Sequence, residues 1–194
     1  MTGKNIEKNV KNCYSSWSID YYDNYYGAKA PYPPVHRGII KRLLSRQRAK
    51  VILDAGCGPA SFLRELDPKK HDLYGFDLTP EMVREAKRIL GAKGIPFAHI
   101  WEGSVLSPAS FRAPGKIKKA IFDAAICIGV FPHIHKDADR KVIKNLYNAV
   151  KKGGLVIIEA RNQLFSLFSQ NRYTYQFFIN ELMQLDAAPT KPPS

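Results

Sequence analysis

Two carboxylates and a pair of glycines are the residues in this chain best placed to do chemistry. The apolar run Val51-Ile52-Leu53 leads into Asp54, and Gly56 and Gly58 follow at alternate positions. A buried strand that ends in such a turn bares backbone N–H groups where side chains would otherwise block approach. A second apolar run, Leu73-Tyr74-Gly75-Phe76, ends in Asp77. A strand-end carboxylate there can accept hydrogen bonds from both hydroxyls of a ribose. A dinucleotide fingerprint requires a third glycine, at position 61, where Ser61 stands. Asp54 would also repel a pyrophosphate, whereas it suits a cationic ligand. The pattern therefore describes a nucleoside site that favours positive charge, at the carboxyl end of a parallel sheet.

The stretch from Val51 to Ala60 resembles the first motif of the class I S-adenosylmethionine-dependent methyltransferases. That motif runs hydrophobic-hydrophobic-Asp/Glu-x-Gly-x-Gly-x-Gly, and Ala60 replaces its last glycine. The resemblance implies S-adenosylmethionine as cofactor, held by Asp54, Ala55, Gly56, Cys57 and Gly58, with Asp77 and Leu78 beside the ribose. Ser104 stands where the family often places the aspartate that accepts from the adenine amino group, and the backbone of Val105 adjoins it. Phe122-Asp123 and the following residues resemble the strand-4 motif, which brings Ile128 beside the methionine end. In the turn after it, His133 matches the second histidine of a Gly-Val-Leu-His-His-like segment, and Pro132 replaces the first. Tyr21, Tyr22, Tyr25 and Tyr26 resemble a tyrosine-rich segment that lids the cofactor, and Tyr26 is expected to face the sulfonium through its ring. Arg37 is a candidate for the cofactor carboxylate.

A histidine beside a methyl donor can deprotonate a substrate hydroxyl, because its pKa lies near neutrality. His133 is therefore the expected general base. The Asn-Pro-Pro-Tyr type of signature for amino methylation is absent, so a small-molecule acceptor methylated at oxygen is expected. After strand 5, Arg161, Asn162, Arg172 and Tyr173 are candidates to recognise a polar acceptor, between walls made by Phe165 and Phe168. Two other readings stand beside this one, an RNA methyltransferase and a cofactor-binding module without catalysis.

The elements that must position these residues alternate. Strands are expected at 50–54, 72–77, 96–101, 121–128 and 154–160, from runs of Val, Ile, Leu, Phe and Ala. Helices are expected at 35–48, with Ile39, Ile40, Leu43 and Leu44 on one face, at 79–91 and at 137–150. In the second, Thr79 is the expected cap, Pro80 opens the first turn, and Met82, Ala86, Ile89 and Leu90 face inward. The helix at 137–150 should end at a Lys151-Lys152-Gly153-Gly154 turn. Alternating strands and helices imply a doubly wound α/β fold, a mostly parallel sheet with helices on both faces. Residues 1–34 form the expected lid segment, 35–185 the Rossmann-like methyltransferase domain and 186–194 a flexible tail. After Leu185 the tail is too short and proline-rich for the antiparallel hairpin of full family members, so the expectation is either a truncated product or a sheet that ends with strand 5.

Composition bounds the rest. A chain of 194 residues fits one domain, which buries ~70% of the surface its unfolded form exposes. No run approaches the ~20 apolar residues of a membrane span, and the polar N-terminus lacks the apolar core of a signal peptide. Cys13, Cys57 and Cys127 are odd in number and lack metal-ligand spacing, so no metal is expected and a reducing cytoplasm is. The formal charge of +13 draws anionic partners, yet its basic residues are not interleaved with aromatics in an RNA-binding pattern. Nucleic acid is accordingly the less favoured partner.

Overall fold

The computed structural model describes residues 3–15, 36–115 and 121–160. The chain divides into two units, Met1–Glu159 and Ala160–Ser194, and the description concerns the first. Its element order is α1 (Gly3–Ser15), α2 (His36–Gln47), β1 (Val51–Ala55), β2 (Asp72–Asp77), α3 (Pro80–Gly91), β3 (Ile100–Glu102), β4 (Phe122–Cys127), α4 (Asp139–Ala149) and β5 (Val150–Ile158).

The five strands form one all-parallel sheet in the order β3-β2-β1-β4-β5. Side chains alternate across it, so neighbours on one strand serve opposite layers. Ile52 packs with Ile40 and Leu44 of α2 and with Val83, Ala86 and Leu90 of α3. Leu53 faces the other layer, with Val142, Leu146 and Ala149 of α4 and with Phe111. Helices thus cover both faces, as the alternating pattern required. The chain runs outward from β1 through β2 to β3, then returns to place β4 on the other side of β1. That reversal leaves a crevice beyond the carboxyl ends of β1 and β4, where ligands bind in open α/β sheets.

The structure departs from the sequence expectation in several places. Among the described residues, the β2–β3 and β4–β5 connections carry the α-helices expected there, while β1–β2 holds a 3₁₀ turn, Leu63–Glu65, and β3–β4 another at Pro108–Phe111. The expected strand at 96–101 begins only at Ile100, because Pro96 leads into a 3₁₀ turn at Phe97–His99. The Lys151-Lys152-Gly153-Gly154 segment is no turn between elements. β5 starts at Val150 opposite Phe122, then advances to Leu155 opposite Ala124, bulging outward with Gly153 at φ +79°. In α3, Met82, Ala86 and Leu90 are buried as expected, Ile89 is only partly so, and Val83 is buried besides. Tyr21, Tyr22, Tyr25 and Tyr26, the acceptor candidates from Arg161 to Tyr173, and the tail all lie outside the described residues.

Candidate cofactor site

The turn after β1 is held from two sides. The N–H groups of Gly56 and Cys57 both donate to the Phe76 carbonyl at the end of β2, at 2.8 and 3.0 Å. Gly58 donates to Asp77 Oδ2 at 2.8 Å, and the Thr79 N–H donates to Asp77 Oδ1 at 2.9 Å. One carboxylate therefore braces both the glycine turn and the start of α3. The cap role expected of Thr79 needs correction on this point. Thr79 occupies the capping position, but its side chain makes no capping bond; its hydroxyl bonds to Asp77 instead. Burial raises the Asp77 pKa, and the bonds from Thr79 and Gly58 counter part of that rise.

Gly56 and Gly58 have φ of +85° and +52°, in the left-handed region. A Cβ on Gly56 would sit 2.4 Å from Cγ2 of Val130, a branched side chain that cannot swing aside. Gly56→Ala should therefore lower stability by ~2 kcal/mol or more, the left-handed penalty of ~1–2 kcal/mol plus the collision. Thermal denaturation checks this, and an unchanged melting temperature would contradict the described turn. Ala60, in place of the family's last glycine, also stands at φ +59°. Its fully buried methyl packs in the α2–α3 layer and offsets part of that strain.

Asp54 and Ala55 lie beneath the turn rather than on the cavity wall. Asp54 is 4% exposed, and none of the described residues donates a hydrogen bond to its side chain. Burial first, and the nearby Asp77 second, push its pKa up to about 7. Burial and both carboxylates likewise drive the Cys57 thiol well above its usual range, so this cysteine is an inert wall.

Above the turn lies a cavity of about 800 Å³, counting its mouth open to solvent. Gly56, Cys57, Gly58, Asp77 and Leu78 form its floor. Gly103, Ser104 and Val105 line one end, and Ile128, Gly129 and Val130 the other. The floor, Ser104, Val105, Ile128 and His133 are all residues the sequence placed at a cofactor, and the fold brings them to one space. Arg37 is not among them; its guanidinium pairs with Glu65. Ser61 also lines the cavity, and its buried Oγ has no hydrogen-bond partner among the described residues. A buried hydroxyl without a partner is costly unless a ligand completes it.

His133 sits in a 3₁₀ turn, Phe131–His133, after β4. The Tyr14 hydroxyl lies 2.7 Å from its Nε2, and the two rings meet edge to face at 5.3 Å. Partial burial lowers the imidazole pKa. Neutral histidine is thus the form held at physiological pH, and in its Nδ1-protonated tautomer Nε2 accepts from Tyr14.

The largest omission of the sequence reading is α1. Glu7, Val10 and Tyr14 of this helix roof the cavity, Ser104 Oγ donates to Glu7 Oε1, and Ser15 Oγ donates to Glu81 Oε2 of α3 at 2.9 Å. The signal was present in Ile6, Val10 and Tyr14, spaced by four in an otherwise polar stretch.

Residues 52–154, more than half of the chain, match the model of the methyltransferase domain family. The chain belongs to the S-adenosylmethionine-dependent methyltransferases. Solved structures agree on the fold of this methyltransferase. One is an S-adenosylmethionine-dependent methyltransferase from Clostridium acetobutylicum, 22% identical, with a TM-score of 0.58 over 78% of this chain and 59% of that one. Another is the magnesium protoporphyrin IX methyltransferase of Synechocystis, solved with S-adenosylmethionine bound. It is 18% identical, with a TM-score of 0.53 over 75% of this chain and 72% of that one. A third is an amino pentose methyltransferase from Micromonospora echinaspora, 20% identical, with a TM-score of 0.52 over 66% of this chain and 52% of that one. The chain thus spans about half to three-quarters of the length of these three. Among curated proteins no relative matches the sequence. Of the described helices, none is long and apolar enough to cross a membrane.

The residues present fit the cofactor of this family. A glycine turn with no room for a side chain at Gly56, a strand-end carboxylate, an uncompleted buried hydroxyl and two raised carboxyl pKa values together suit a ribose attached to a cation.

Proposed function

We propose that this methyltransferase moves a methyl group from S-adenosylmethionine to an oxygen of a small-molecule acceptor. The observation that carries the reading is a partly buried, neutral imidazole at the Ile128 end of the cavity. The bound cofactor supplies an electrophilic methyl group on a sulfonium. The residues of this chain do the rest. Gly56, Cys57, Gly58 and Asp77 would fix the nucleoside, Asp54 would supply negative charge beneath the turn, and His133 Nε2 would take the acceptor's hydroxyl proton as its oxygen bonds to the methyl carbon and the carbon–sulfur bond breaks, its electron pair returning to sulfur as a neutral thioether. Alignment and exclusion of water supply most of the acceleration in such a displacement. Tyr14 already bonds to Nε2, so an acceptor hydroxyl must take its place or pass its proton through it.

The RNA alternative loses part of its support to pairing. Arg37 and Lys41 of the basic helix α2 both bond to the Glu65 carboxylate, which they hold below the usual range against its burial.

A screen of hydroxylated small molecules with labelled S-adenosylmethionine tests the reading. With a positive acceptor in hand, His133→Ala should lower kcat by ~10²-fold or more while cofactor affinity stays within a few-fold. At saturating cofactor, the wild-type kcat should rise with pH through a pKa below the ordinary imidazole value and level off above it. Nearly full activity in His133→Ala removes the base proposal, and transfer only to RNA removes the small-molecule one.

A further inference from the structure

We propose that Glu7, carried in on α1, reads the amino group of the cofactor's purine and makes this site selective for a 6-amino over a 6-oxo base. The inference rests on the cofactor reading above. With the ribose at Asp77 and the sulfonium toward Ile128, the base must lie at the other end, against Gly103, Ser104 and Val105. Adenine offers a hydrogen-bond donor through one group alone, its exocyclic amine, so a matching wall needs an acceptor.

The turn after β3 spends the carbonyls of Ser104 and Val105 within the fold: Ser104 accepts from the Ser107 N–H and Val105 from the Asn145 side-chain amide, both at 3.0 Å. Ser104 Oγ is committed twice, donating to Glu7 Oε1 and accepting from the Leu106 N–H at 3.0 Å. Its own N–H goes to Ser110 Oγ, also at 3.0 Å. Gly103 donates to the Asp77 carbonyl at 2.9 Å. The acceptor at this end is Glu7. Its carboxylate lines the cavity, and Ser104 engages only Oε1, leaving Oε2 to a ligand. Nor is its position left to a frayed end of chain. Glu7 is one of three polar ties along α1, with Tyr14 to His133 and Ser15 to Glu81, and the helix packs on α3.

A carboxylate accepts and cannot donate. Against adenine it meets the amine; against hypoxanthine a carboxylate held at the 6-position faces the lone pairs of a carbonyl oxygen, and only a shift of the base toward its N1–H would restore a bond. Sites built to hydrogen-bond a ligand reject analogues lacking that partner. Glutamine of the same shape can turn either its oxygen or its nitrogen inward, so it satisfies both bases.

Calorimetric titration of the full chain with S-adenosylhomocysteine and with its deaminated form, S-inosylhomocysteine, tests this. The wild type should prefer the adenosyl compound by ~30-fold or more. Glu7→Gln should bind the adenosyl compound ~10-fold more weakly, the loss of one charge-assisted bond, and discriminate less than about threefold. Glu7→Ala should also lose the preference, with thermal melts confirming that both variants fold. An undiminished preference in Glu7→Gln, or equal weakening toward both ligands, overturns the proposal and marks Glu7 as a docking contact of α1. Tight adenosyl binding in that case leaves the cofactor reading standing. If neither compound binds the wild type, the cofactor reading fails and this proposal falls with it.

Discussion

Asp77→Ala weakens S-adenosylhomocysteine binding by ~100-fold or more. The carboxylate would accept the ribose hydroxyls while bracing Gly58 and Thr79 through their N–H groups. Hydrogen bonds to a charged group are worth ~1.5–3 kcal/mol each, and losing two of them reaches that factor. Much of the loss comes through the turn itself, whose second strut is gone. Asp77→Asn is not expected to rescue binding. One amide oxygen cannot replace two carboxylate oxygens, and its NH₂ would face one of the N–H donors. Titration calorimetry measures both variants, and near-wild-type affinity in Asp77→Ala would contradict the site as described.

The second large effect is on pH dependence. Asp54, with a pKa pushed up to about 7 by burial and by Asp77, is half protonated near neutrality in the free protein. A cation arriving above the turn favours its ionised form, so binding below pH 7 must expel a proton. The sign follows: affinity for S-adenosylmethionine falls as the pH drops from 8 to 6, by roughly fivefold in all when the ionised carboxylate is worth ~10-fold in binding. S-adenosylhomocysteine lacks the sulfonium charge and should show a shallower slope. Asp54→Asn should flatten the profile and weaken S-adenosylmethionine ~10-fold at pH 8, the scale of a unit charge acting through a poorly solvated turn. A flat wild-type profile over this range would remove Asp54 from the binding electrostatics.

The residues that surrounded the site were unevenly legible. Strand-forming runs that end in Asp54 and Asp77 announce their own function, because a buried parallel strand leaves only its carboxyl end free to meet a ligand. β2, α2, α3 and the floor of the cavity came directly from such patterns. Ser104 lines the cavity, but its two hydrogen-bond commitments depend on Glu7 and Leu106, which no local pattern predicts. α1 was missed because a polar helix of 13 residues gains its stability from what it covers rather than from its own propensity. The start of β5 was misread for a related reason. Lys151, Lys152 and two glycines carry the composition of a turn, yet the Lys151 ammonium bonds to Asp123 at 2.8 Å while β4 pairs the backbone into the sheet. Asp123 also accepts from the N–H groups of Lys50 and Val51, tying the amino ends of β1, β4 and β5 together. Long-range pairing of this kind overrides local composition.

A crystal structure with S-adenosylhomocysteine bound examines the central claim most directly. It should place the ribose hydroxyls ~3 Å from the Asp77 carboxylate, with the nucleoside over Gly56–Gly58 and the base against Ser104 and Val105. A ligand lodged elsewhere, with Asp77 still bonded only to Gly58 and Thr79, would contradict it.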